Sequence, residues 1–347
     1  MIKKENIFSF TLEELKEKII YLGLKKFIAT QIYEWIYTKY VKSFSSMLNI
    51  SKANIEILEN NFSFSFIKPL HIFKSEQEDT IKIIYELEEK YLIEMAIIEF
   101  EFGYSGCIST QVGCNMGCKF CASGLNKKRR NLEVYEIVQE FLFANEYLEK
   151  NNLKKMSSTS FMGIGEPLDN FDNLIKAIKI IHEPKGINLG WRNFTVSTCG
   201  LVNKIPFLAK TIPQCNLAIS LHAPNDEIRN KILPINSVFK IKELIDAIIN
   251  YIKIVKHDIT IQYTLIDKIN DSCENAKELC KLLKKIDCHV ILIEYNPVKE
   301  FCFKTSKNIF KFKQILENNK ISVSLRQNKG RSIDAACGTM RSNYEKK

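Results

Sequence analysis

Apolar residues recur at helical spacing along the N-terminal stretch, and the period then changes. TLEELKEKII (11–20), FIATQIYEWIYTKY (27–40) and ANIEILENNF (53–62) repeat apolar residues every three or four positions, as one buried helix face requires. Thr11 followed by Glu14 has the spacing of a capping box, in which each side chain satisfies the other's backbone N–H at a helix start. Over 80–102, TIKIIYELEEKYLIEMAIIEFEF partly alternates apolar and polar positions, the period of half-buried strands. The prediction is a small helical bundle followed by a short β segment.

From about residue 104 short β-rich runs alternate with helical ones. The strand candidates are CISTQVG, STSFMGIG, FTVSTCG, NLAISLHA, ITIQYTLI, VILIEYN and ISVSLRQ. Between them LEVYEIVQEFLFANEYLEK, FDNLIKAIKIIHE, IKELIDAIINYIKIV, CENAKELCKLLKKI and IFKFKQILENN carry helical periodicity. Strand–helix alternation over this length predicts a parallel sheet wound with helices, an α/β fold of the partial TIM-barrel type. Ligands in such folds sit at the C-terminal ends of the strands. Polar and glycine residues do gather there: Gly165 and Glu166, Ser197 and Thr198, Ser220 and His222, and Asn296. Taken singly each has a structural explanation; their repetition after successive strands points to one shared mouth.

Composition narrows the class. The 347 residues are 46% hydrophobic and 26% charged, enough for a sizeable core in a water-exposed chain. No apolar run approaches the roughly 20 residues of a membrane span, and the N-terminal lysines are followed by no apolar signal segment, so a cytoplasmic protein is expected. A formal net charge of +10 suits a polyanionic partner such as nucleic acid, although a Lys-, Ile- and Asn-rich bias would produce it as well. Eleven cysteines, an odd number without a secretory signal, argue against a disulfide scaffold. Cys199, Cys215, Cys273, Cys280, Cys288 and Cys302 lie scattered in apolar or helical stretches and read as small hydrophobes.

GCNMGCKFCASG is different. It sets Cys114, Cys118 and Cys121 in a CxxxCxxC pattern directly after the first barrel strand. Three thiolates on one compact loop can hold three irons of a cubane and leave the fourth open. An open iron can chelate S-adenosylmethionine (SAM), which electron transfer then cleaves to a deoxyadenosyl radical. Structural zinc competes, but zinc usually takes four ligands in two separated pairs, and no second pair follows.

CISTQVGCNMGCKFCASG, FMGIGEPLDNFDN, TVSTCGLVNKIP, LAISLHAPNDEIRNKILPIN, EYNPV and IDAACG together resemble the bacterial dual-specificity radical-SAM RNA methyltransferases. The likeness runs from about residue 10 to residue 340. It implies a (βα)6 radical-SAM barrel over 99–347, ending in a catalytic-cysteine segment, with a small helical and β accessory domain over 1–98 that docks RNA. The implied cofactors are one [4Fe–4S] cluster on Cys114, Cys118 and Cys121, and SAM. The implied reaction is methylation of adenine C2 in 23S rRNA, at the peptidyl-transferase centre, and in tRNA, 3′ of the anticodon. An external electron donor such as flavodoxin or ferredoxin and a monomeric state come with it.

The resemblance also assigns residues. Cys337 in AACG matches the cysteine that carries the methyl group to RNA, and Cys107 its redox partner. Glu94 matches an acidic residue that holds the adenine and assists proton transfer. Gly165 and Glu166 would meet the amino end of SAM, and Ser197, Ser220, Leu221, His222 and Asn296 would complete its pocket. A thiolate suits the first transfer because it is a strong nucleophile, whereas C2 of adenine is electron-poor and is not. KKRR (127–130) follows the cluster loop and is placed to meet phosphates. Departures from the family pattern fall at Lys127, Lys128, Cys199, Ser332, Thr339 and the stretch Glu78-Asp79-Thr80; none removes a cluster cysteine. The nearest rival activity is methylation at C8 of the same adenine. A rival of another class is a non-catalytic, metal-bearing RNA-binding protein.

Overall fold

A computed structural model of the chain describes residues 4–76, 79–326 and 329–341; Glu78 lies outside the described residues. The N-terminal pattern folds as helices Leu12–Tyr21 (α1), Phe27–Lys39 (α2) and Lys52–Asn61 (α3). The capping box forms: Glu14 N–H donates to Thr11 Oγ1 at 3.3 Å, and Thr11 N–H donates to the Glu14 carboxylate at 2.9 Å. The apolar face of α1 (Leu12, Leu15, Ile19) and that of α2 (Ile28, Ile32, Tyr33, Ile36, Tyr37) are buried in the main core.

Ten strands form one sheet whose spatial order follows the chain. Lys68–Lys74 (β1), Thr80–Glu86 (β2), Leu92–Phe100 (β3) and Gly103–Cys107 (β4) pair antiparallel. From β4 onward pairing is parallel through Met156–Phe161 (β5), Phe194–Thr198 (β6), Asn216–Ser220 (β7), Ile259–Leu265 (β8), Cys288–Glu294 (β9) and Ser322–Leu325 (β10). The crossovers carry Val134–Lys150 (α4), Phe171–His182 (α5), Ile205–Thr211 (α6), Asp226–Ile232 (α7), Ile241–Val255 (α8), Cys273–Leu283 (α9) and Ile309–Asn318 (α10). Parallel strands need such crossovers. The expected partial barrel is therefore present, as an open curl with three antiparallel strands on one edge. Because β3 pairs with both β2 and β4, the sheet runs unbroken past residue 98. β1 is the outermost strand; it is largely exposed and carries Lys68, Pro69 and Lys74, features that discourage pairing with another chain.

Three elements escaped the pattern analysis: β1, α6 and α7. Each is short, and α7 is set by a cap (Ile228 N–H to Asn225 Oδ1, 3.0 Å) rather than by periodicity. The run CISTQVG is also not one strand. It leaves the sheet after Cys107, where Ile108 N–H reaches Ser160 O and Thr110 N–H reaches Ile164 O, and Gln111–Val112 then pairs with Arg130–Asn131.

α4 buries five polar side chains, Glu136, Gln139, Glu140, Asn145 and Glu146. Glu140 receives Ser109 N–H at 3.2 Å on one oxygen, and its other oxygen has no partner. Burial therefore pushes its carboxyl well above the ordinary carboxylate range. A carboxyl so raised stabilises the fold most below the ordinary value near 4.5, and that contribution is lost as pH rises through the raised value. Glu140→Gln is thus expected to gain about 1–3 kcal/mol over the wild type near neutral pH. Urea unfolding at pH 7.5 and pH 4 checks this: the gain should shrink toward zero at the lower pH.

Candidate functional site

The loop after β4 is shaped by backbone constraints. Gly113 has φ +75°, and a Cβ there would sit 2.5 Å from Lys127 O, so only glycine fits. Cys114 N–H donates to Asn126 O at 2.9 Å, and Cys121 N–H to Cys118 O at 3.2 Å. Cys114, Cys118 and Cys121 line one cavity of about 120 Å³, together with Gly165, Glu166, Ser197, Ser220, His222 and Cys337. Burial first, and mutual repulsion among the sulfurs next, raise Cys118; burial also raises Cys121 and lifts Cys114 to about 12. Three such thiols ionise together only around a strong positive centre. Among the described residues no three His, Cys, Asp or Glu side chains converge closely enough for a single ion. A cubane suits the three cysteines better, because each thiolate takes a different iron corner.

The other cavity residues divide by what they touch. Gly165 (φ +108°) passes so close to Gln111 that a Cβ would lie 2.6 Å from the glutamine Cβ. Glu166 is 3% exposed; its carboxylate accepts Cys199 N–H at 2.8 Å and Leu168 N–H at 3.1 Å. Ser197 and Ser220 both donate to Gln262 Oε1, at 3.3 and 3.1 Å. Gln262, on β8, was not singled out from the sequence. Its signal was the one amide in a row of inward polar positions, Thr260, Gln262 and Thr264, of the run ITIQYTLI.

His222 adopts φ +56° and accepts Thr264 N–H on Nδ1 at 2.9 Å. Burial, then Arg229, lower its pKa to about 3, so at neutral pH it is an uncharged wall of the cavity. Leu221 departs from its expected place: its side chain lies in the main core rather than in the cavity wall. Leu221 follows the last residue of β7, and its N–H turns back to Ile219 O at 3.0 Å and to Gln262 O at 3.1 Å. Leu221 does contribute its carbonyl, which accepts Arg229 Nε–H at 3.2 Å. Arg229, fully buried, also reaches Asn236 and Cys199 O, and thereby ties the ends of β6 and β7 together. Cys199, expected as a small hydrophobe, is buried and also lines the cavity.

Cys337 is exposed on a turn seated against the cluster loop. Ala122 N–H donates to Gly338 O at 2.7 Å, and Ser123 Oγ–H to Met340 O at 2.9 Å. Asn296 meets the Cys337 turn: its amide donates to Cys337 O at 3.0 Å and accepts from Arg331 Nε at 2.6 Å, and it is not among the residues that line the cluster cavity. Glu94 lines none of these cavities and is 2% exposed, 3.5 Å from Lys82 Nζ, and it accepts Arg341 N–H at 3.3 Å.

Cys107, the last residue of β4, is buried, and its thiol is pushed up to about 12 by burial, with the nearby Cys337 adding to the rise. It faces a larger cavity of about 750 Å³. The walls carry Ser105, Ser158, Ser160, Thr195, Thr260 and Ser324, where barrels of this type usually pack branched aliphatic residues. The two cavities meet at Met162 and Gln262. Half of the KKRR run is engaged internally: Lys128 pairs with Asp169 at 2.7 Å, and Arg130 pairs with Glu136 and Glu89, both at 2.7 Å. Lys127 and Arg129 are exposed beside Tyr91.

Comparison with known proteins agrees with this arrangement. Residues 108–280 match the radical SAM superfamily, and residues 5–63 match the ribosomal RNA large subunit methyltransferase N-terminal domain. The chain is 48% identical to the probable dual-specificity RNA methyltransferase RlmN of Malacoplasma penetrans, over 97% of this chain and 96% of that one. It is 44% identical to the corresponding protein of Enterococcus faecalis, over 100% and 98%. A crystal structure of a radical SAM methyltransferase from Sphaerobacter thermophilus superposes with a TM-score of 0.93 at 34% identity, over 98% of this chain and 100% of that one. The chain belongs to the dual-specificity RNA methyltransferase RlmN family of the radical SAM superfamily.

Proposed function

We propose that the protein methylates C2 of adenine in large-subunit ribosomal RNA and in tRNA. The observation that carries this reading is the seating of Cys337: its turn is bonded to the cluster loop, and its side chain lines the same cavity as Cys114, Cys118 and Cys121. Those three cysteines would hold the cluster; Gly165, Glu166, Ser197 and Ser220 would hold SAM. When bound, the pair supplies one-electron chemistry and a methyl group.

The chain's own residues supply the rest. Cys337 is the exposed nucleophile that receives the methyl group and presents it to the base. Cys107 stands across from it as the thiol that closes on Cys337 when the product leaves. Thiols or another reductant must then reopen that pair. The resemblance gives Glu94 the uptake of a proton; in the RNA-free chain its carboxylate is held by Lys82 at 3.5 Å and by Arg341 N–H at 3.3 Å. Access to C2 demands that the adenine be extruded from its stack. A donor of the flavodoxin or ferredoxin type, a monomeric state and a cytoplasmic site of action complete the reading. Among the described residues no helix is long and apolar enough to cross a membrane.

Nucleoside mass spectrometry of ribosomal RNA and tRNA tests it. Deleting the gene should remove 2-methyladenosine, and the wild-type copy should restore it. Loss of 8-methyladenosine instead would place the chemistry at C8; no change in any adenine would sink the assignment. The sorted basic run adds a prediction. Lys127→Ala and Arg129→Ala should each weaken RNA binding across sequences and lower the salt slope by about 1. Lys128→Ala should leave that slope unchanged, because its charge is spent on Asp169. Filter binding across a salt series distinguishes the two.

A further inference from the structure

A buried lysine holds the Cys337 segment in place. Lys82 on β2 is opposite Ala96 on β3, Ala96 is opposite Cys107 on β4, and Cys107 is opposite Ser160 on β5. Glu94 lies two residues from Ala96 on the same strand, so it shares this face and stands diagonally from Lys82. The C-terminal segment lies across that face, with Ala335 and Met340 packed with Ala96 and Cys107. Ala96 is small enough to let it settle there.

Both ends of the Cys337 turn are then held by one ion pair. Lys82 Nζ donates to Asp334 O at 3.3 Å, three residues before Cys337. Glu94 accepts Arg341 N–H at 3.3 Å, four residues after it. The pair itself spans 3.5 Å, with side chains only 4% and 3% exposed. A buried pair of this kind is weak support for stability, because desolvation offsets much of its attraction; setting a register is its better-attested use. We propose that Lys82 is a positioning residue: with Glu94 it latches the 334–341 segment onto the sheet and sets Cys337 against Cys107. This deepens the proposed function and takes its meaning from the roles given there to the two cysteines.

The test reads proximity directly. Reduced, cluster-loaded protein is equilibrated anaerobically in glutathione redox buffers, where one oxidised glutathione accepts two electrons and leaves as two glutathione thiols while the Cys107–Cys337 bond forms. The effective concentration of the pair is measured by mass spectrometry, with exposed Cys302 as the reactivity control. Lys82→Met should lower it by about tenfold or more, and Lys82→Arg should stay within about threefold of wild type. The double variant Lys82→Met/Glu94→Gln, which leaves no unpaired buried charge, should show the same drop as Lys82→Met. In methylation assays Lys82→Met should lower kcat with little change in KM for RNA. If Lys82→Met and the double variant both keep the wild-type effective concentration, the latch is wrong, whatever happens to their melting temperatures. If the wild type closes the pair readily but methylates no RNA, the latch stands and the functional reading falls.

Discussion

Cys337→Ala is expected to bind iron and SAM as the wild type does, yet to methylate no RNA. The turn is held through its backbone: Asn296 contacts the carbonyl of residue 337, Ala122 that of Gly338, and Ser123 that of Met340. None of these bonds involves the sulfur, so alanine leaves the turn docked. What disappears is the one exposed thiol that lines the cluster cavity. Removing a covalent nucleophile typically costs about 10⁴-fold or more in turnover. No other thiol can take over: Cys199 is buried with its neighbours and raised well above the usual thiol range by burial. Transfer of labelled methyl groups to RNA, together with the visible spectrum of the cluster, separates the outcomes. Retained methylation would remove Cys337 from the chemistry, whereas a lost spectrum would make its role structural.

Cys118→Ala should abolish the cluster and with it all methyl transfer. Three cysteines hold the group, and leaving two sulfurs deprives one iron corner of its ligand. Ligand binding to the folded state is also folding energy for the loop. In the wild type the melting temperature should therefore rise on reconstitution, and in the variant it should not. Iron content, the visible absorption band and the melting curve report the effect. Cys273→Ala, on the helix α9, serves as control and should reconstitute fully. A Cys118 variant with full iron content would overturn the ligand assignment.

Several features were legible in the sequence because they depend on local spacing. The capping box at Thr11 and Glu14 needs only residues three apart. CxxxCxxC brings its thiols together because a tight loop cannot carry them far apart. Alternating strand and helix periods predict parallel pairing, and the sheet order confirms it. The family likeness covers nearly the whole chain because its motifs sit at the strand ends that line the cavities.

Other features depended on partners distant in the chain. Nothing in the sequence pairs Glu94 with Lys82, found diagonally across the sheet, or Asn296 with Cys337 O, which takes its amide. Leu221 sits within the motif, but its side chain packs in the core. KKRR is uniformly basic on paper, yet Asp169, Glu136 and Glu89 claim two of its four charges. Arg229 and Gln262 carry no motif, and only three-dimensional packing shows them joining the strand ends. By itself the sequence determined the periods, the caps, the cluster loop and the family, because backbone geometry translates short spacings directly into structure. The tertiary structure alone decided which charges are paired, which side chains face the cavities and what the backbone of the Cys337 turn is bonded to. Those outcomes are set by burial and by contacts outside the helix and strand periods, many of them between residues tens to hundreds of positions apart.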